Sequence, residues 1–271
     1  MRYNKHYLLL LLPLLLLPLL LFACKGTDEP SLNFETITVD KTVMLSNDEN
    51  SPRCQVHLKL LQATAENGER AQIVNEALMS RLLNKSGERD LQTAAEKFTD
   101  DYTNSYKNTM LPLYNQDRAD TTKKALYEYH YIIEATTQPG TANTLTYLAT
   151  IDYYEGGAHG INQLITFNFD IATGKQITLA DIFAPGYESQ LKNTLLKALK
   201  SKTGLNSMDE LKDAGYLYSM DIFPSENFIL NDETITFVYN PYEIAPYAVG
   251  SIELIITYSE VSKILNPSFK H

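Results

Sequence analysis

The spacing of apolar residues changes several times along the chain, and each change predicts an element. Residues 32–45 alternate loosely through Phe34, Ile37, Val39, Val43 and Leu45, which predicts a strand. After a turn-rich break at 47–52, Cys54, Val56, Leu58 and Leu60 alternate cleanly and predict a second strand over 54–64. The period then lengthens to about 3.6 residues. Ile73, Val74, Ala77, Leu78 and Leu82 predict a helix over 70–84. Leu91, Ala94, Ala95, Phe98, Tyr102 and Tyr106 predict another, with Asp90 as its N-cap and Pro112 limiting its continuation.

Alternation returns at Tyr127, Tyr129, Tyr131 and Ile133, then at Leu145, Tyr147, Ala149, Ile151 and Tyr153, with 136–141 as the connection. Ile165, Phe167, Phe169 and Ile171 predict a further strand, closed by a turn in which Gly174 supplies a positive φ. A short helical turn at 179–183, a helix over 187–200 and a short one at 208–214 come next. Two last strands follow, on Ile235, Phe237 and Tyr239 and on Ile252, Leu254, Ile256 and Tyr258. Strands and helices fall in runs without a βαβ rhythm. The expected fold is therefore α+β, two small domains with largely antiparallel sheets and a few packed helices, divided at 34–150 and 151–271.

The first 23 residues stand apart. Arg2, Lys5 and His6 precede an almost unbroken leucine run, which ends in Leu21-Phe22-Ala23-Cys24. A basic start, a short apolar stretch and small residues before a cut describe a secretory signal, and a cysteine at the cut resembles the lipobox of bacterial lipoproteins. That resemblance implies cleavage before Cys24, lipidation of Cys24 and attachment to a membrane, where two or more acyl chains hold stably. Residues 24–33 would form a polar tether, whose early acidic residues loosely resemble surface-export signals of Bacteroidetes lipoproteins. The expected location is the cell envelope, on the periplasmic face or the outer-membrane surface.

Removing residues 1–23 takes away Arg2 and Lys5 and no acid, so the formal charge moves from −10 to −12. Such a balance offers nothing to a phosphate backbone, which argues against nucleic acid as a partner and suits a basic protein or cationic ligand. With Cys24 lipidated, Cys54 is the remaining cysteine, so no internal disulfide and no cysteine-based metal site is expected.

Candidate chemistry gathers in two loops. Tyr154, Glu155 and His159 lie in YYEGGAHG between two strands, and Tyr242, Glu243 and Tyr247 lie in NPYEIAPYAVG between two others. Glu155 and His159 have the spacing of a helical metal pair, but Gly156-Gly157 disfavours a helix there, and no H-E-x-x-H, nucleotide-loop or G-x-S-x-G pattern occurs. No cofactor, metal or catalytic residue is assigned. The glycines read as a corner that needs positive φ, with His159 either structural or in contact with a ligand. Tyr242 and Tyr247 would stack on a sugar, pack on a partner or plug the end of a sheet.

Taken in order, Y-x-G-G-A-H-G, D-x-x-T-G-K-x-I-T-L-x-D-I-F, a helix and F-V-Y-N-P-Y-E-I-A-P-Y-A-x-G resemble the extracytoplasmic domain of the anti-sigma factor RsiV and its relatives, over about residues 153–265. Residues 34–150 are similar in arrangement to the domain preceding it there and preceding the catalytic unit of the peptidoglycan deacetylase PdaC. The deacetylase's metal-binding motifs have no counterpart in the chain. With so few residues before the leucine run that starts at Leu8, no cytoplasmic sigma-binding segment is expected. The resemblance therefore implies an envelope module that binds lysozyme or a peptidoglycan fragment; the lipobox adds a lipid anchor, and the two loops are expected to lie near each other as one site. The rivals are a purely structural envelope protein and a glycan hydrolase pairing Glu155 with Glu243. Hydrolysis would need those carboxyls roughly 5–5.5 Å apart if retaining, or roughly 6.5–9.5 Å if inverting.

Overall fold

The computed structural model describes residues 31–269 and residue 271. The signal segment 1–23, Cys24 and the tether as far as residue 30 lie outside the described residues. Among the described residues no helix is long and apolar enough to cross a membrane.

Six strands make the first sheet: β1 Phe34–Met44, β2 Arg53–Ala63, β3 Tyr129–Pro139, β4 Thr144–Tyr154, β5 Ile161–Asp170 and β6 Gln176–Ile177, in chain order. All neighbours are antiparallel except β2 and β3, which run parallel. A parallel pair needs a long crossover. Helices α1 (Glu69–Leu83) and α2 (Leu91–Asp117) supply it and cover one face of the sheet. The alternation read from the sequence is the reason this works. Cys54, Val56, Leu58 and Leu60 of β2 are all buried, as are Ile133 of β3, Tyr147 and Ala149 of β4, and Phe167 and Phe169 of β5. Asp90 caps α2, its carboxylate accepting from Thr93 N at 2.8 Å.

Helix α2 differs from expectation by running through Pro112 to Asp117. Proline removes one helical hydrogen bond, and the carbonyl it orphans belongs to Asn108. Asn108 is exposed, so water can serve that carbonyl and the helix continues.

The second unit has helices α3 (Leu179–Ile182), α4 (Glu188–Thr203), α5 (Met208–Asp213) and α6 (Tyr258–Val261), with a three-stranded antiparallel sheet of β7 (Phe228–Leu230), β8 (Thr234–Tyr239) and β9 (Ile252–Thr257). Leu191, Leu195 and Leu199 of α4 are fully buried in a core with Phe237, Leu254 and Ile256. Strand β7 and helix α6 are absent from the sequence reading. Three residues are too few to show a period, and α6 is a single turn started by a Thr257–Glu260 capping box.

The boundary expected at 150/151 falls inside β4. The apolar interior divides later, between Ile171, which packs on the first core, and Ile177, which packs on the second. Strands β4 and β5 are therefore part of the first sheet.

A polar seam joins the units. Asn240, just after β8, donates to Leu164 O at 3.0 Å and accepts from Leu164 N at 2.8 Å, imitating a strand partner for β5. Thr166 Oγ1 and Asn168 Nδ2 both donate to Phe228 O, at 2.9 and 2.8 Å. Arg81 of α1 reaches in to donate to Thr166 O and to Asn227 Oδ1, with its guanidinium 5.0 Å from the centre of the Phe167 ring.

Candidate functional site

The hairpin between β4 and β5 holds the first loop. Gly156 and Gly157 both take positive φ, at 82° and 98°. A Cβ on Gly156 would lie 2.8 Å from Leu126 O, so only glycine lets the hairpin close on that segment. Tyr154 donates its hydroxyl to Gly157 O at 3.0 Å, and its ring stacks on His130. Its polar contact thus holds the hairpin in shape.

The second loop is a turn in which Glu243 N donates to Asn240 O at 3.1 Å, while Pro241 and Tyr242 occupy the middle. Tyr242 sits at φ 73°, where a residue with a Cβ pays about 1–2 kcal/mol. Glu243 holds this turn, its carboxylate accepting from Asn240 N at 2.8 Å. Pro246 starts a 3-10 turn, Tyr247–Val249.

Together the loops form a three-ring cluster. His159 stacks on Tyr247 with ring centres 3.7 Å apart and planes 13° from parallel. Its Nδ1 lies 2.9 Å from Gly160 O and its Nε2 3.0 Å from the Tyr242 hydroxyl. Both contacts are satisfied when Nδ1–H donates to the carbonyl and Tyr242 donates to Nε2. Tyr242 and Tyr247 are 5.7 Å apart, centre to centre. The structure thus brings together His159, Tyr242 and Tyr247.

Glu155 goes elsewhere. It lines a pocket of about 250 Å³ with Tyr102, Tyr106, Met110 and Tyr129, against α2. Burial and then the negative charge of Glu155 push the Tyr102 and Tyr129 hydroxyls up from their ordinary value. The same two causes, in the same order, raise the Cys54 thiol to about 12, as expected of an inert buried cysteine. Glu243 borders a different pocket, of about 260 Å³, with Leu217, Tyr218, Met220, Tyr242 and Pro246. The two carboxylates considered as a hydrolytic pair therefore lie in separate pockets.

That second pocket adds residues the sequence reading missed. Tyr218 is 83% exposed, Met220 46% and Tyr242 58%. The segment carrying the first two has no regular structure, so no period marked them. One signal was local: Tyr216, Leu217 and Tyr218 follow Gly215. Leu217, at φ 53°, is buried and donates its N–H to Ile244 O at 2.8 Å, next to the outward Tyr218. A Cβ on Gly215 would stand 3.0 Å from Pro246, so the segment rests on the second loop. The result is an exposed apolar surface continuous with the His159 stack.

Burial pushes the Glu243 carboxyl above its ordinary value, while the Asn240 N–H pulls the other way. A raised carboxyl pKa means the folded chain holds the proton more tightly than the unfolded one. Its contribution to stability is full at low pH and is lost as pH rises from the ordinary 4.5 through the folded value. Glu243→Gln keeps an acceptor for Asn240 N and removes that loss. Thermal melts between pH 4 and 8 should show a flatter pH dependence in the variant, with equal or higher stability at neutral pH.

Residues 180–259 match the model of a family described as protein of unknown function (DUF3298). That span contains the second loop and leaves the Tyr154–Gly160 hairpin outside. A solved member of the DUF3298 family from Bacteroides fragilis is 29% identical, with a TM-score of 0.79 over 88% of this chain and 94% of its own. A DUF3298 family protein from Pseudomonas aeruginosa, 18% identical, shares the fold at a TM-score of 0.59 over 87% of this chain and 95% of its own. No curated protein matches the chain.

Proposed function

We propose that the chain is a lipid-anchored binding module of the cell envelope, attached through Cys24. Its contact surface is the patch formed by His159, Tyr242, Tyr247, Tyr218 and Met220, and its partner is a basic protein of the lysozyme kind. The observation that carries the reading is the exposed Tyr242 held at φ 73°. Strain kept at a solvent-facing aromatic residue suits a binding role better than a packing one. Tyrosine on such a surface supplies area at low entropic cost, methionine adapts to the shape of a partner, and the acidic chain attracts a basic one. Resemblance to RsiV points the same way. A peptidoglycan fragment is the second reading, favoured by the tyrosine rings available for stacking against sugar faces.

The test is calorimetric titration of the chain with lysozyme and, separately, with muropeptides. Tyr242→Asn is the informative variant, because asparagine tolerates positive φ. It should melt at the same temperature or higher, yet bind at least about tenfold more weakly, the 1.4 kcal/mol expected of a contact residue. Failure of the unaltered chain to bind either ligand, or full binding by the variant, would overturn the assignment.

A further inference from the structure

The pocket lined by Glu155 is a separate feature of the molecule, and its chemistry is specific. Five of its residues, Tyr102, Ser105, Tyr106, Thr109 and Met110, form one stripe on α2 at the i, i+3, i+4, i+7, i+8 spacing that shares a helix face. Tyr129, at the start of β3, closes the side, its ring 5.0 Å from that of Tyr106. Glu155 closes the remaining side, brought there by the Gly156 corner pressed against Leu126 O.

Polar partners inside are unevenly assigned. Tyr106 donates to Tyr127 O at 2.8 Å, and Tyr129 points its hydroxyl at Met110 Sδ at 3.3 Å. Tyr102 Oη is enclosed and has no hydrogen-bond partner among the described residues. No lysine, arginine or histidine among the described residues lies within ion-pair distance of Glu155, and its carboxylate sits close enough to the Tyr102 hydroxyl to push that group up. An enclosed hydroxyl and a carboxylate without a counter-ion thus lie near each other at one aromatic cavity.

We propose that this pocket is a binding site for a primary ammonium group on an aliphatic stem. Its N–H donors would go to the Glu155 carboxylate and to Tyr102 Oη, the two acceptors that meet no cation in the described residues. The faces of Tyr106 and Tyr129 add quadrupole attraction for a cation, and Met110 packs on the stem. Pockets that enclose whole small molecules hold about 300–1,000 Å³. At about 250 Å³ this one suits a chain end, such as a lysine side chain or a small alkylamine. The site does not depend on the Tyr242 surface, so either assignment can fail alone.

The experiment is NMR titration of the full-length chain, carrying ring-labelled tyrosine, with Nα-acetyl-lysine amide, pentylamine and Nα-acetyl-norleucine amide. The two amines should shift the Tyr102, Tyr106 and Tyr129 signals saturably, and the uncharged norleucine analogue should not. Tighter binding of the lysine amide assigns the site to a peptide-borne side chain, and tighter binding of pentylamine to a free amine. Glu155→Gln should weaken amine binding at least tenfold with an unchanged melting temperature. Tyr102→Phe, which keeps the ring and removes the acceptor, should weaken it severalfold. Equal binding of norleucine amide, no binding of either amine, or undiminished binding by Glu155→Gln would overturn the proposal.

Discussion

Replacing Asn168 with leucine is expected to lower stability by about 2–4 kcal/mol, although the two side chains are close in size. Asn168 sits on β5 with 1% of its surface exposed. Its amide donates to Phe228 O and accepts from Thr146 Oγ1 at 2.8 Å, and Leu230 N approaches it at 3.4 Å. Phe228 O keeps Thr166 as a donor after the change. The Thr146 hydroxyl, fully buried, loses its one hydrogen-bond partner among the described residues. Losing the bonds costs about 1 kcal/mol each, and an orphaned buried hydroxyl costs about 1–3 kcal/mol more. The second part of that cost is separable. In the Asn168→Leu background, Thr146→Val removes the orphan and should restore about 1–2 kcal/mol, whereas alone it should destabilise. Urea unfolding of the four proteins checks this cycle. Additive losses would show that Thr146 and Asn168 do not act as a coupled pair.

Gly174→Val should cost about 3 kcal/mol, enough to lower the melting temperature by roughly 6–12 °C in a chain of this size. Gly174 has φ +72°, and a Cβ there would lie 2.9 Å from Arg70 Cβ and 3.0 Å from Arg70 Cα and O. The left-handed conformation costs a side-chain-bearing residue about 1–2 kcal/mol, and overpacking adds about 1–3 kcal/mol. Gly174→Asn, which tolerates the angle but still meets Arg70, should fall between the two. If the asparagine variant were as stable as the parent, close approach to α1 would not be what selects glycine.

Gly174 also shows how far the sequence could be read. A positive φ at this turn was legible, since Asp170 and Thr173 announce the turn and Asp170 accepts from both Thr173 N and Thr173 Oγ1. Contact of that turn with Arg70, which donates to Ile171 O at 2.7 Å, was not legible. The two residues are a hundred positions apart, and no local pattern reports such a meeting. Pro112 makes the same point in reverse. A local rule ends the helix there, but exposure of the orphaned carbonyl, which only the packing decides, lets it continue.

The candidate residues divide on the same line. Glu155, Gly156 and His159 lie within five positions and read together as one motif. In the structure the hairpin splits them, Glu155 turning to the α2 tyrosines and His159 to Tyr242 and Tyr247. Tyr218 and Met220 sit in an irregular segment where no period exists to flag them.

What the sequence alone determined was the long helices and most of the strands, the capped start of α2, the glycine corners and the α+β class; the 3-10 helix Thr121–Tyr127, where a strand was expected to begin at Tyr127, was not among them. These follow from forces acting within a few residues: dihedral limits, capping and the alternation of burial. Tertiary structure alone decided the parallel β2–β3 pair, the place where the apolar interior divides, the Asn168–Asn240 seam, and which face each half of the Tyr154–Gly160 hairpin serves. Those depend on contacts between distant segments, whose energies exist only once the two cores have packed.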